Sequence, residues 1–168
     1  MNSPFISDLN SPISLNNFFM QEALREAKKA YDKDEVPVGA VIVHENKIIA
    51  RAHNQVEMLR DPTAHAEMIA ITQATSALSS KWLNDCIMYV TLEPCCMCAG
   101  AMVLARVKKL VYGANDPKTG ACGSVLDIIN HEVLNHHVDM EKGVLAEECA
   151  YLLSSFFQEK RKKNNGLN

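Results

Sequence analysis

The sequence predicts a layered α/β fold, three layers deep (α/β/α), built on a mixed sheet of about five strands. Three observations predict it. Short β-branched apolar runs of strand length recur along the chain, most stretches between them carry apolar residues at helical spacing, and the first two runs stand only two residues apart, as in a hairpin, before the alternation with helices begins.

Residues 1–16, with two Ser-Pro steps and many Asn and Ser, read as a loose arm. From about Asn17 the apolar positions Met20, Leu24, Ala27 and Tyr31 recur at helical spacing, which predicts a first helix to about Asp34. "VPVGAVIVH" and "KIIARAHN", separated by Glu45 and Asn46, predict a hairpin of two strands. "DPTAHAEMIAITQATSAL" opens with Asp61 as N-cap and Pro62 at the first helical position, then carries Ala64, Met68, Ile71 and Leu78 on one face of a second helix. "CIMYVTLE" reads as a buried strand, "CCMCAGAMVLAR" as a third helix and "KKLVYG" as a further strand. After the loop "ANDPKTGACGS" come a short apolar segment at "VLDIIN", a strand near "HHVDM", and a last helix from about Leu145 to Lys160. This gives one domain over residues 17–163, preceded by the arm and followed by a flexible end at 164–168.

At 168 residues and 48% apolar content the chain is long enough for a single sizeable core. No stretch approaches the roughly 18 consecutive apolar residues of a membrane helix. The start "MNSPFISDLN" has neither the basic region nor the apolar run of a signal peptide, so the expected compartment is cytoplasmic. In that reducing setting the six cysteines are not read as disulfide staples. Close Cys spacing there points instead to metal or redox chemistry. A formal charge of −3 excludes global attraction to nucleic acid, so any RNA contact must be local. Positive charge gathers at Arg106, Lys108 and Lys109 and at Lys160–Lys163, and such runs read first as solvated ends of elements.

The densest chemistry lies in "EPCCMCAGA", where Cys95, Cys96 and Cys98 follow Pro94 at the start of a helix. The free N–H groups of a first turn favour thiolate over thiol, and thiolate is the form that binds a metal. "TAHAE" puts His65 and Glu67 at the start of the preceding helix, so two strand-to-helix junctions can bring His65, Cys95 and Cys98 to one point. One imidazole and two thiolates balance the charge of Zn²⁺ and leave a fourth position open, the mark of a catalytic rather than a structural site. Glu67 is then a base beside that position, not a ligand. One geometric objection stands: residues two apart on a helix point roughly 200° away from each other, so His65 and Glu67 converge only if the site lies off the helix end.

Rival readings remain beside this one. A closed structural zinc would use Cys95, Cys98, His131 and His136, at a spacing far wider than a zinc finger's. A C-x-x-C redox pair would leave His65 and Glu67 unexplained. Cys96 as a nucleophile faces away from its neighbours, and it reads as a packing residue, as do Cys86, Cys122 and Cys149.

His-Ala-Glu followed about thirty residues later by Pro-Cys-x-x-Cys resembles the zinc-dependent nucleoside deaminases. The likeness is closer still to the bacterial tRNA-specific adenosine deaminases. It extends through "VPVGAVIV", "HNQ", "DPTAHAEMIA", "YVTLEPCCMCAGAM", "VYGANDPKTGACGS" and "FFQEKRKK", from about residue 17 to 163. The zinc motif alone is shared with cytidine, deoxycytidylate, guanine and riboflavin-pathway deaminases. The "DPKTGACGS" loop and the basic end single out the tRNA-specific group. The resemblance implies a cytidine deaminase-like fold and a homodimer with one zinc per chain. The activity it implies is hydrolytic conversion of adenosine to inosine at the wobble position of a tRNA anticodon arm, with no natural DNA substrate. By the same resemblance His65, Cys95 and Cys98 ligate zinc, Glu67 shuttles protons, and Asn54 hydrogen-bonds an edge of the purine. A free purine (guanine-type) deaminase is the alternative. Asp116, in the loop after "KKLVYG", is placed to accept a hydrogen bond from a ribose hydroxyl, against the competing reading that it only starts an Asp-Pro turn.

Overall fold

The computed structural model describes residues 12–166; residues 1–11 of the expected arm and 167–168 of the expected flexible end lie outside the described residues. Helix α1 (Pro12–Asp32) starts ahead of Asn17, with Pro12 at its first position, where a missing N–H breaks no helical bond. It ends two residues before the expected Asp34, because Asp34 turns left-handed (φ 64°) and the Glu35 N–H closes onto the Ala30 carbonyl. Strands β1 (Gly39–His44) and β2 (Lys47–His53) form the hairpin, reversing through Glu45 and Asn46 at φ 49° and 59°. Two left-handed residues in a row match the twist of the flanking strands.

A single helical turn, α2 (Val56–Leu59), follows, which no apolar period in the sequence signals. Helix α3 (Ala66–Ala77) then begins at Ala66, not at Pro62. The carboxylate of Asp61 does not cap it: Oδ1 instead accepts from the N–H and the hydroxyl of Thr63, closing a tight turn. The order continues with β3 (Cys86–Leu92), α4 (Cys96–Leu104), β4 (Lys109–Ala114), β5 (Asp139–Lys142) and α5 (Ala146–Asn165). The last helix runs on past Lys160, so Lys160–Lys163 and residues 164 and 165 are helical.

The five strands form one mixed sheet in the order β2-β1-β3-β4-β5, antiparallel across β2-β1-β3 and parallel across β3-β4-β5. Alternation along each strand sorts the core into two faces. Ala40, Ile42, Met88, Val90, Leu110 and Tyr112 pack with the alanines of α3 and with Ala99 and Met102 of α4. Val41, Val43, Tyr89 and Val111 pack on the other side with Phe19, Met20 and Ala23 of α1 and Cys149 of α5. Helices thus cover both faces, giving the three layers. No described helix is long and apolar enough to cross a membrane.

The registers place the functional edge. Gly39 pairs with His53, Ala40 with Val90, and Leu92 with Ala114. The start of β1 and the ends of β2, β3 and β4 therefore share one edge, and the segments that leave it carry Asn54, His65, Cys95 and Asp116.

Helix α1 lies very close to this edge. A Cβ on Gly39 would sit 2.1 Å from the Ala23 carbonyl oxygen and 2.3 Å from the Ala27 nitrogen, backbone atoms that cannot swing aside. Gly39→Ala is therefore expected to cost more than about 3 kcal/mol or to prevent folding. A denaturant midpoint equal to that of the unaltered chain would contradict this contact.

Candidate active site

His65 occupies the N-cap position of α3 and Cys95 that of α4, each with an extended backbone (φ −73° for both). Cys98 is the third residue of α4, within its first turn. Because His65 sits outside its helix, the 200° divergence from Glu67 does not arise. The Nδ1 atom of His65 is 3.7 Å from Cys95 Sγ and 3.6 Å from Cys98 Sγ. All three donor atoms lie within 4.8 Å of one another. Tetrahedral zinc with Zn–S of about 2.3 Å and Zn–N of about 2.0–2.1 Å separates sulfur from nitrogen by about 3.5–3.6 Å. The donor set and its spacing thus fit this ion.

Each position has a local cause. The first N–H of α3, on Ala66, donates at 2.9 Å to Oδ1 of Asn54, a buried side chain at the end of β2. That bond supplies from outside the cap that Asp61 does not, and it fixes where His65 leaves the loop. Asn54 also lines the cleft, and with its oxygen taken, its amide N–H₂ remains for a ligand.

The junction before α4 is held by Glu93, 2% exposed, which sequence reasoning missed. Its carboxylate accepts from the N–H groups of Asp116 (2.9 Å), Cys122 and Ser124 (both 3.1 Å) and from the Ser124 hydroxyl (2.5 Å). Burial opposes its ionisation, but these bonds outweigh it and hold the carboxyl below the usual range. The loop after β4 is thereby drawn onto the cysteine junction, where the Ala121 N–H donates to the Pro94 carbonyl. Gly120 is required there, since a Cβ would meet the Glu93 carboxylate at 2.4 Å. Glu35 does similar work on the opposite wall: buried, it accepts from the N–H groups of Glu57 and Met58 and holds α2 in place.

Asp116 lines the cleft, but its carboxylate is engaged within its own loop. Oδ1 accepts from the N–H groups of Lys118 and Thr119, and Oδ2 from the Thr119 hydroxyl. These bonds form the turn of the competing reading, and the carboxylate still lines the cleft. Cys96 is exposed rather than packed, because the first position of α4 turns it away from the core, whereas Cys86, Cys122 and Cys149 are buried as expected. His136 bonds the Val107 carbonyl, and neither it nor His131 joins the donor cluster.

The cluster opens on a cleft of about 880 Å³ lined also by Val38, Leu92 and Phe157. Electrostatics at its floor are strongly perturbed. A hydrogen bond from Cys98, then one from His65, lowers Cys95 to about 4, while Cys98, as the thiol sharing that proton, is pushed up. The bond to Cys95 raises His65. Burial raises Glu67, 4% exposed, from an ordinary 4.5 to about 7, where it both accepts and returns a proton near neutrality.

A layered deaminase fold with an open three-donor cluster and a buried carboxylate defines the class, and the model of the MafB19-like deaminase family matches residues 15–161. Among similar proteins, the tRNA-specific adenosine deaminase of Bacillus subtilis (strain 168) is 51% identical over 148 residues, covering 88% of this chain and 92% of that one. That of Aquifex aeolicus (strain VF5) is 53% identical over 144 residues, covering 86% and 95%. A solved structure from work on A-to-I editing by tRNA:A34 deaminases superposes with a TM-score of 0.78 at 44% identity, covering 81% of this chain and 99% of that one. The chain belongs to the tRNA-specific adenosine deaminase family. The guanine deaminase of Nitrosomonas europaea shares the fold alone, at 22% identity and a TM-score of 0.72 over 93% of each chain.

The raised Glu67 sets a pH dependence. Its folded value exceeds its unfolded one, so between about 4.5 and 7 the folded chain holds a proton the unfolded chain has lost, and stability falls as pH rises. In chelator-treated protein, Glu67→Gln should therefore gain roughly 2–3 kcal/mol on the unaltered chain between pH 5 and pH 8. Urea denaturation at the two pH values measures it, and an equal difference at both would show an ordinary carboxyl.

Proposed function

We propose that this chain hydrolytically deaminates adenosine to inosine at the wobble position of a tRNA anticodon, as a cytoplasmic homodimer. One observation carries the reading: the His65, Cys95 and Cys98 donors converge at the floor of a cleft beside a buried carboxylate, Glu67. Family membership supplies the substrate.

His65 Nδ1 and the Sγ atoms of Cys95 and Cys98 are the atoms that would hold zinc. Bound there, zinc supplies a water acidic enough to ionise near neutral pH. Glu67 takes the proton of the attacking water and delivers it to the ring nitrogen beside the purine carbon that bears the amino group. A second proton, released by the hydroxyl added to that carbon as it becomes the carbonyl, passes through the same carboxylate to the amino group, which leaves as ammonia. The apolar wall of Val38 and Leu92 keeps bulk water from competing for those protons. Asn54, its oxygen tied to Ala66, donates its N–H₂ to an acceptor on the purine edge. A stacked base cannot reach a cleft floor, so the substrate is an unpaired base turned out of the anticodon loop. Asp116 contributes through its loop, whose shape it fixes along the wall that flanking nucleotides must pass.

Incubation of the zinc-loaded chain with bulk tRNA, followed by nucleoside analysis, should show inosine. Glu67→Ala should keep zinc and bind tRNA yet lose turnover by at least about 10²–10⁴-fold. Turnover in that variant would give the proton transfers to another residue. Ammonia release from free adenosine or guanine, without inosine in tRNA, would favour the free-purine alternative.

A further inference from the structure

Away from the donor cluster, the cleft carries a second built arrangement. Lys33, just beyond the end of α1, lines the cleft, and its Nζ lies 3.2 Å from Nε2 of His53. The other ring nitrogen, Nδ1, lies 3.4 Å from Oε2 of Glu26. An ammonium can only donate, so Nε2 accepts, Nδ1 carries the ring proton, and that proton faces the carboxylate. His53 and Glu26 are both buried, and Lys29 donates to the other oxygen of Glu26 at 2.7 Å. Two buried side chains thus hold one exposed ammonium against the cleft wall.

Lys160, a second cation lining the cleft, differs in its partner. Its Nζ meets the Asp34 carboxylate at 2.5 Å, which matches its charge. Lys33 has a ring nitrogen rather than a carboxylate as its partner, so that contact does not cancel its charge. The same lining holds several carboxylates, among them Asp34, Glu57 and Asp116. A nucleic-acid strand entering would be repelled by these acids and drawn to Lys33.

We propose that Lys33 is a phosphate anchor of the cleft, binding a backbone phosphodiester beside the target nucleotide, with His53 and Glu26 as its positioning residues. The proposal rests on the RNA substrate proposed above. It adds a contact at the end of α1 to whatever the basic end of α5 supplies, where Lys160 is already paired with Asp34.

The test uses the zinc-loaded chain and an RNA hairpin with adenosine at the first anticodon position, with binding followed across salt and inosine formation followed by rate. Lys33→Gln should raise KM about fivefold, leave kcat within about twofold, and reduce the slope of log affinity against log salt by about 0.7, the share of one single-strand phosphate. Lys33→Arg should keep the slope. Lys47→Gln, the same charge change at the opposite edge of the sheet, should alter neither quantity. His53→Phe should raise KM two- to threefold in the unaltered background and have no further effect in Lys33→Gln, the non-additivity of residues acting as one unit. If His53→Phe does not fold, the Lys33 variants decide alone. An unchanged slope in Lys33→Gln, or full additivity with His53→Phe, overturns the anchor. Inosine formed with an unchanged Lys33→Gln slope removes the anchor and leaves the deaminase reading standing. RNA bound with a Lys33-dependent slope but no inosine does the reverse, and no RNA binding at all removes both.

Discussion

Two helix N-termini meet over one edge of the sheet closely enough to bring three donor atoms within 4.8 Å of one another, and most of this architecture serves that constraint. The reversal from antiparallel to parallel pairing at β3 puts the ends of β2, β3 and β4 at the same edge. The chain leaves β2 toward α3 and β3 toward α4, so the caps of those helices, His65 and Cys95, arrive from neighbouring directions. A ligand at a cap position lies off the helix end, where residues of different helices can converge and where the unpaired N–H groups favour thiolate.

Holding the caps in register falls to buried polar side chains. Asn54, Glu35 and Glu93 each spend their oxygens on backbone N–H groups that no strand or helix satisfies. An unpaired buried donor costs about 1–3 kcal/mol, so these bonds secure the loops and the caps together. Glu67 is buried among these groups, and among the described residues no comparable set of backbone donors outweighs its burial. That contrast separates two neighbouring carboxylates. Glu93 stays ionised as a fastening, and Glu67 is free to exchange its proton.

The parts legible in the sequence were those written in local pattern. The hairpin, the helices at "HAEMIAITQATSA" and "CMCAGAMVL", and the donor trio all follow from spacing. What stayed hidden was non-local. The cap of α3 comes from a residue twelve positions earlier, so Asp61 looked like the N-cap and was not. Glu93 reads only as the last residue of the buried strand "CIMYVTLE" until the loop after β4 folds back onto it. Helix α2 has four residues and no apolar period, and its cause is Glu35, more than twenty positions away. Lys160 looked free within a basic run, and only the fold pairs it with Asp34. Glu93 did offer one cue, an acid between an apolar strand and a proline at "TLEPC", whereas Glu35 closes the charged run "DKDE" and offered none.

As proposed above, three protein atoms, and no fourth among the described residues, would hold a metal at this edge. X-ray absorption at the zinc edge of the purified chain tests it most directly. The account predicts two sulfur scatterers at about 2.3 Å, one imidazole nitrogen at about 2.0–2.1 Å, and one light, exchangeable scatterer completing the shell. Three sulfurs, or a second imidazole in place of the light scatterer, would contradict it.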